Sequence, residues 1–122
     1  MERYRVGIII PVFNEEKTIR SIIEKSQKYG EVIVVNDASK DNTLKEIEDL
    51  KIHLINNQIN LGYEKSLSIG FEYAFDKKFS YVITLDADGQ HDTKYLNNII
   101  QEFKAGQDVV VCKRNKITRI GE

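Results

Sequence analysis

Five short apolar runs rich in Ile and Val alternate with segments whose apolar residues recur three and four apart, and this alternation constrains the chain more than any other feature. The runs are Val6–Phe13, Glu31–Val35, His53–Ile55, Tyr81–Leu85 and Asp108–Cys112. Their length and β-branching suit strands covered on both faces. Between them, one helical face is spelled by Ile19, Ile22 and Ile23, a second by Leu44 and Ile47, a third by Leu67, Phe71, Ala74 and Phe75, and a fourth by Leu96, Ile99, Ile100 and Phe103. The order βαβαβαβαβ predicts an α/β fold, a parallel sheet reached by right-handed crossovers with helices packed on both faces. Asp41, Asn42 or Thr43 can open the second helix and Asp92 the fourth, while Gly30 and Gly106 follow helix ends. The single proline, Pro11, cannot donate a ladder hydrogen bond and is expected at the C-terminal end of the first strand.

The chain of 122 residues has the length of one domain, and no linker or repeat divides residues 1–122. Hydrophobic residues at 41% beside charged residues at 30% can bury a core, which excludes a disordered chain. Eighteen basic residues against nineteen acidic ones leave a net charge of -1, so no overall field draws the chain to nucleic acid, and any anion site must be local. The one cysteine, Cys112, excludes an internal disulfide and a cysteine zinc cluster and fits a reducing cytoplasm. No apolar run approaches the ~20 residues that span a bilayer. The first run is broken by Asn14-Glu15-Glu16-Lys17 too soon to read as a signal peptide.

In an open parallel sheet, ligands bind outside the C-terminal strand ends, so the residues just past each run carry the chemistry. After the fourth run stands Asp86-Ala87-Asp88-Gly89-Gln90-His91. Two carboxylates one residue apart at a strand end can converge on a hard divalent cation, and Gln90 and His91 add further ligand atoms in the same turn; a capped acidic loop is the alternative. After the second run, Asp37 can accept hydrogen bonds from a base or ribose, whereas Ser39, Asp41 and Thr43 fit either a ligand site or a capped turn. Asn60-Leu61-Gly62-Tyr63-Glu64-Lys65-Ser66 puts a glycine at a helix entry with a lysine in the first turn, which suits a phosphate or only a turn that needs positive φ. Lys113-Arg114-Asn115-Lys116 follows the fifth run and can meet phosphate oxygens or form a plain loop. His53 and Cys112 read as structural, and Glu15 and Glu16 as acidic residues near the first helix's positive end. Neither the phosphate-loop pattern nor GxGxxG occurs, which argues against a kinase, ATPase or dehydrogenase.

Taken in order, Ile9-Ile10-Pro11-Val12-Phe13-Asn14-Glu15-Glu16, Val34-Val35-Asn36-Asp37-Ala38-Ser39-Lys40-Asp41-Asn42-Thr43, Asn60-Leu61-Gly62 and Leu85-Asp86-Ala87-Asp88-Gly89-Gln90-His91 resemble glycosyltransferase family 2 from about residue 6 to about residue 115. The form of the last motif is most similar to the branch of dolichyl-phosphate mannosyltransferases and other polyprenyl-phosphate glycosyltransferases. The resemblance implies a Rossmann-like GT-A fold, a nucleotide-diphosphate sugar donor such as a UDP-sugar or GDP-mannose, Mg2+ or Mn2+, and inversion at the anomeric carbon. It assigns Pro11, Asn14 and Glu15 to the first nucleotide loop and Asp37 to the base. Gly62, Lys65 and Ala87 join the nucleotide site. Asp86 and Asp88 take the catalytic and metal positions with Gln90 beside them, and Arg114 faces the phosphates or acceptor. Asn36 stands where Asp often precedes the base-reading residue, and Ala38 where Gly is common.

The resemblance therefore implies a metal-dependent sugar transfer to a polyprenyl phosphate or a glycan or lipid hydroxyl, in cell-envelope or glycolipid synthesis. The protein is expected in the cytoplasm, with association at the cytoplasmic face of the membrane through an acceptor half. Family members continue past the fifth strand into that half, so the chain is expected to be the donor-binding N-terminal part. A noncatalytic nucleotide-binding or interaction module of the same fold is the alternative. A sugar nucleotidyltransferase would carry a Gly-rich basic loop after the first strand, where Phe13-Asn14-Glu15-Glu16 stands.

Overall fold

A computed structural model describes residues 5–87 and the backbone of 109–113 and 116–120. The elements run β1 (Val6–Val12), α1 (Ile19–Ser26), β2 (Glu31–Asn36), α2 (Thr43–Ile47), β3 (His53–Asn56), α3 (Tyr63–Asp76), β4 (Tyr81–Thr84), β5 (Val109–Lys113) and β6 (Lys116–Ile120). The helix expected around Leu96–Phe103, with Asp92 and Gly106 at its ends, lies outside the described residues. The strands form one sheet in the order β3-β2-β1-β4-β5-β6. β1 to β5 are parallel along it, and β6 returns antiparallel to β5. Sequence alone predicts a loop at Lys113–Lys116 and no strand beyond. Instead Lys116–Ile120 form a further strand that pairs antiparallel with β5.

The Ile and Val runs become strands because both sheet faces are covered. Ile8, Ile10, Val12, Val32, Val34, Ile83 and Leu85 pack with Ile19, Ile22 and Ile23 of α1 and Ile47 of α2. Ile9, Ile33 and Val35 face the other way against Ala74 of α3. Ile8, Ile9 and Ile10 are all fully buried, each burial worth roughly 1.5–3 kcal/mol. α3 lies close enough on β1 that a Cβ on Gly70 would stand 2.5 Å from Ile9 Cγ2. Gly30 serves close approach too. Its backbone is not left-handed, and an added Cβ would meet the Val6 carbonyl oxygen at 2.6 Å, so the reason for glycine here is the packing of the α1–β2 turn on β1 rather than a helix cap.

Two features position the site. Sequential strands step outward from β1 to β2 to β3, then α3 carries the chain back across β1 to β4, so the sheet has its topological switch at β1 and β4. Pro11 sits at that switch. The Ile9 carbonyl accepts from Leu85 N at 2.9 Å, and Pro11, two residues on, faces the same side just where the β4 ladder has ended. Its lost N–H therefore costs no ladder bond.

The opposite end of the sheet is closed by structural contacts. Glu31 accepts from Arg5 at 2.9 Å, and His53 bridges Glu31 (3.0 Å) and the Tyr73 hydroxyl (2.7 Å), while the Arg5 guanidinium lies 4.1 Å from the centre of the Phe79 ring. His53 is thus a packing residue, as its sequence context indicates.

Candidate nucleotide site

The loops after β1 and β2 are clamped together. Asn14, left-handed at φ 53°, donates its N–H to Ser39 Oγ (2.9 Å) and accepts from Lys40 N (2.8 Å). Glu15 N donates to Thr43 Oγ1 (3.0 Å) and Glu16 N to Asp41 Oδ2 (3.3 Å). Asp41 Oδ1 in turn accepts from Thr43 N (2.9 Å), an Asx turn that satisfies the first N–H of α2 from just ahead of its N-cap, Asn42. Glu16 accepts from Asn42 N at 3.2 Å, which sets it on α2 rather than on the positive end of α1. Ser39, Asp41 and Thr43 are therefore turn and capping residues. Asn14 works in the same clamp, and Glu15 Oε2 lies 3.3 Å from Thr18 Oγ1.

Asp37 is buried, with 4% exposure, at the end of β2. Its Oδ1 accepts from Leu61 N at 2.7 Å and from Asn57 Nδ2 at 2.9 Å, and its Oδ2 from Gly62 N at 2.9 Å. Ser66 adds its hydroxyl. Burial pushes this carboxyl up, but the donors from Leu61, Asn57, Gly62 and Ser66 outweigh it and hold the group below its ordinary value. A carboxylate offers about four acceptor sites, so the segment from Asn57 to Ser66 draws on nearly all of them. The carboxylate that sequence marks as an acceptor for a base or ribose is thus also what folds the β3–α3 connection.

Gly62 is at φ 96° with nothing within 4 Å of an added Cβ, so glycine is needed there for its backbone and not for space. Tyr63 follows, and its hydroxyl donates to Asp86 Oδ1 at 2.9 Å. The Ala87 carbonyl accepts from Thr18 Oγ1, which ties the end of β4 to the start of α1. Between these parts opens a cleft of about 290 Å3 lined by Pro11, Val12, Phe13, Asp37, Asn60, Gly62, Tyr63 and Ser66. Phe13 exposes 44% of its surface there.

Of the residues singled out from sequence, Pro11, Asp37 and Gly62 line the cleft, and Asp86 is joined to it through Tyr63. Lys65 is exposed and lines a shallower recess beside it with Leu61, Glu64 and Ser68. Asp88, Gln90 and Arg114 lie outside the described residues, as does His91. Among the described residues no three His, Cys, Asp or Glu side chains form a metal-binding group. Asp86 is half-buried just past the end of β4. Asn57, Ser66, Tyr63 and Phe13 fall within the segments that sequence marks past the strand ends and at the entry of α3, but it assigns no role to any of them.

No helix among the described residues is long and apolar enough to cross a membrane. The profile of "Glycosyl transferase family 2" matches residues 7–120. The Bacillus subtilis protein CsbB, named a glycosyltransferase, is 34% identical over 128 residues, covering 95% of this chain and 38% of its own length. UDP-N-acetylglucosamine--dolichyl-phosphate N-acetylglucosaminyltransferase of Methanococcus voltae is 31% identical, covering 91% of this chain and 52% of its own. The chain thus spans about half or less of these relatives. Glucosyl-3-phosphoglycerate synthase from Mycobacterium tuberculosis, solved with Mn2+, UDP-glucose and phosphoglyceric acid, superposes with a TM-score of 0.56 at 20% identity. That match covers 69% of this chain and 33% of the synthase, and it shows the shared Rossmann-like GT-A fold. The match across nearly the whole sequence, together with a cleft at the switch point of a parallel sheet, places the chain in glycosyltransferase family 2.

Proposed function

We propose that the cleft beside Pro11, Asp37 and Tyr63 is the donor site of a metal-dependent, inverting glycosyltransferase, and that residues 1–122 form its donor-binding domain. One observation carries this reading: Asp37 and Asp86, on opposite sides of β1, are joined across its C-terminal end through Gly62 and Tyr63. A crevice at that place is where α/β sheets take nucleotides. The nucleoside lies against Pro11 and Phe13 with its base toward Asp37, where it competes with the loop donors for the carboxylate. The loop bearing Asn14 and Glu15 forms the neighbouring rim. The ribose and diphosphate run toward Asp86 and Ala87.

Asp86, Asp88 and Gln90 are the residues that would hold a Mg2+ or Mn2+ ion, which would supply positive charge for the departing diphosphate. Lys65 and Arg114 are the basic residues proposed for the phosphates or the acceptor. In the transfer, the bond from the anomeric carbon to the diphosphate breaks with its electron pair on the phosphate oxygen, as the acceptor oxygen bonds from the opposite face. A polyprenyl phosphate is already ionised and needs no base, whereas a hydroxyl acceptor must give up a proton. The dolichyl-phosphate acceptor in the name of the Methanococcus voltae relative supports the first. Such an acceptor would bring the protein to the cytoplasmic face of a membrane.

The test is release of sugar from UDP- and GDP-sugars with Mn2+ or Mg2+. Turnover abolished by Asp88→Ala supports the enzyme. Tight nucleotide binding without turnover supports a noncatalytic module of the same fold instead.

A further inference from the structure

We propose that Tyr63 is a positioning residue for Asp86, fixing one oxygen of that carboxylate and coupling the two walls of the cleft. This rests on the donor-site reading above. Asp86 follows β4 on one side of β1, whereas Tyr63 opens α3 from the β3 side. The Tyr63 hydroxyl reaches Asp86 Oδ1 at 2.9 Å, so one phenol spans the end of β1.

The backbone that carries this ring is itself fixed. Asp37 holds the N–H groups of Leu61 and Gly62, Gly62 takes φ 96°, and the Gly62 carbonyl accepts from Ser66 N at 3.0 Å to close the first turn of α3. With its backbone held, only the two side-chain torsions of Tyr63 remain to place the hydroxyl, so little conformational freedom is lost in making the bond. A ligand that disturbs the hold of Asp37 on Gly62 is therefore felt one residue later, at the ring that anchors Asp86. Tyr63 also lines the cleft, so a bound nucleoside meets the same ring directly.

Tyr63→Phe keeps the ring and removes only the hydroxyl. Calorimetric titration of UDP and GDP with Mn2+ is run on the wild-type 122-residue chain, Tyr63→Phe, Asp86→Asn and the double variant. The expected result is a loss of about three- to tenfold in affinity for Tyr63→Phe, the range one hydrogen bond spans, and no further loss when the change is added to Asp86→Asn. Amide hydrogen exchange of Leu85–Ala87 in the ligand-free chain rises with Tyr63→Phe and does not rise again in the double variant. An equal loss of affinity in both backgrounds overturns the proposal, because Tyr63 then acts independently of Asp86. Unchanged affinity or unchanged exchange in Tyr63→Phe overturns it as well. No binding by the wild-type chain overturns the donor-site reading and this inference together, whereas wild-type binding that Tyr63→Phe leaves intact overturns this inference alone.

Discussion

Asp37 Oδ2 accepts the backbone N–H of Gly62 at 2.9 Å across 25 positions of sequence, and with the neighbouring bond to Leu61 N it makes one buried carboxylate the organiser of the β3–α3 connection. The fold at that point depends on a charge. An amide in its place would turn an N–H2 group toward one of the two backbone N–H donors, Leu61 or Gly62, and leave that donor unsatisfied. Asp37→Asn is therefore expected to destabilise the chain by about 1–3 kcal/mol, the cost of leaving buried donors unsatisfied. Chemical denaturation checks this, with amide exchange of Leu61 and Gly62 rising in the variant. A change within about 0.5 kcal/mol, ordinary for a surface position, would assign the loop's order to something other than Asp37.

Acid should unfold the chain through identifiable groups. The Arg5 guanidinium holds Glu31 well down, from its ordinary 4.5 to about 2, with His53 assisting against burial. Asp37 and Asp41 are pushed up by burial but held below their ordinary value by the donors around them. Carboxyls depressed in the folded state contribute stability that is present above their unfolded pKa and is lost as pH falls through the folded one. Stability is thus expected to be level above about pH 5 with respect to these groups, and to decline through the window from 4.5 toward 2 set by Glu31. In Asp37→Asn the decline is shallower, because one of these depressed carboxyls is gone. Unfolding followed against pH for both chains measures the difference, and parallel curves would refute the role given to Asp37.

Ala38 stands at φ 62°, in the left-handed region that costs a residue with a Cβ roughly 1–2 kcal/mol relative to right-handed backbone. The resemblance to the family puts it where glycine is common. Ala38→Gly removes the steric cost but adds freedom to the unfolded chain, so a net gain of about 0.5–1 kcal/mol is expected. Thermal or urea denaturation reads it directly. A loss of stability would mean that the Ala38 methyl makes contacts that outweigh its strain.

The α/β order is legible because Ile and Val runs announce a sheet buried on both faces, as Ile8 to Ile10 are, and because helical spacing separates them. The strand-end rule then picks out Asp37 and Asp86 before any geometry is known. β6 is not legible. Its five residues, Lys116-Ile117-Thr118-Arg119-Ile120, follow a basic polar cluster and lack the strict apolar alternation or the Ile and Val run that marks a strand in sequence. The clamp between the first two loops is hidden for another reason: Asn14 to Ser39 and Glu15 to Thr43 are contacts 25 and 28 residues apart, which no local propensity encodes. Tyr63 reads as one more aromatic at a helix start, and its partner Asp86 lies 23 residues away.

The central claim, that the cleft beside Pro11, Asp37 and Tyr63 receives a nucleotide-diphosphate sugar, is tested most directly by calorimetric titration of the chain with UDP, GDP and their sugars in the presence of Mn2+. One of the two nucleoside diphosphates is expected to bind at one site per chain, with Asp37→Ala and Asp86→Ala each weakening it at least tenfold, about 1.4 kcal/mol. Absence of binding by all of them, or binding that both substitutions leave unchanged, would contradict the account.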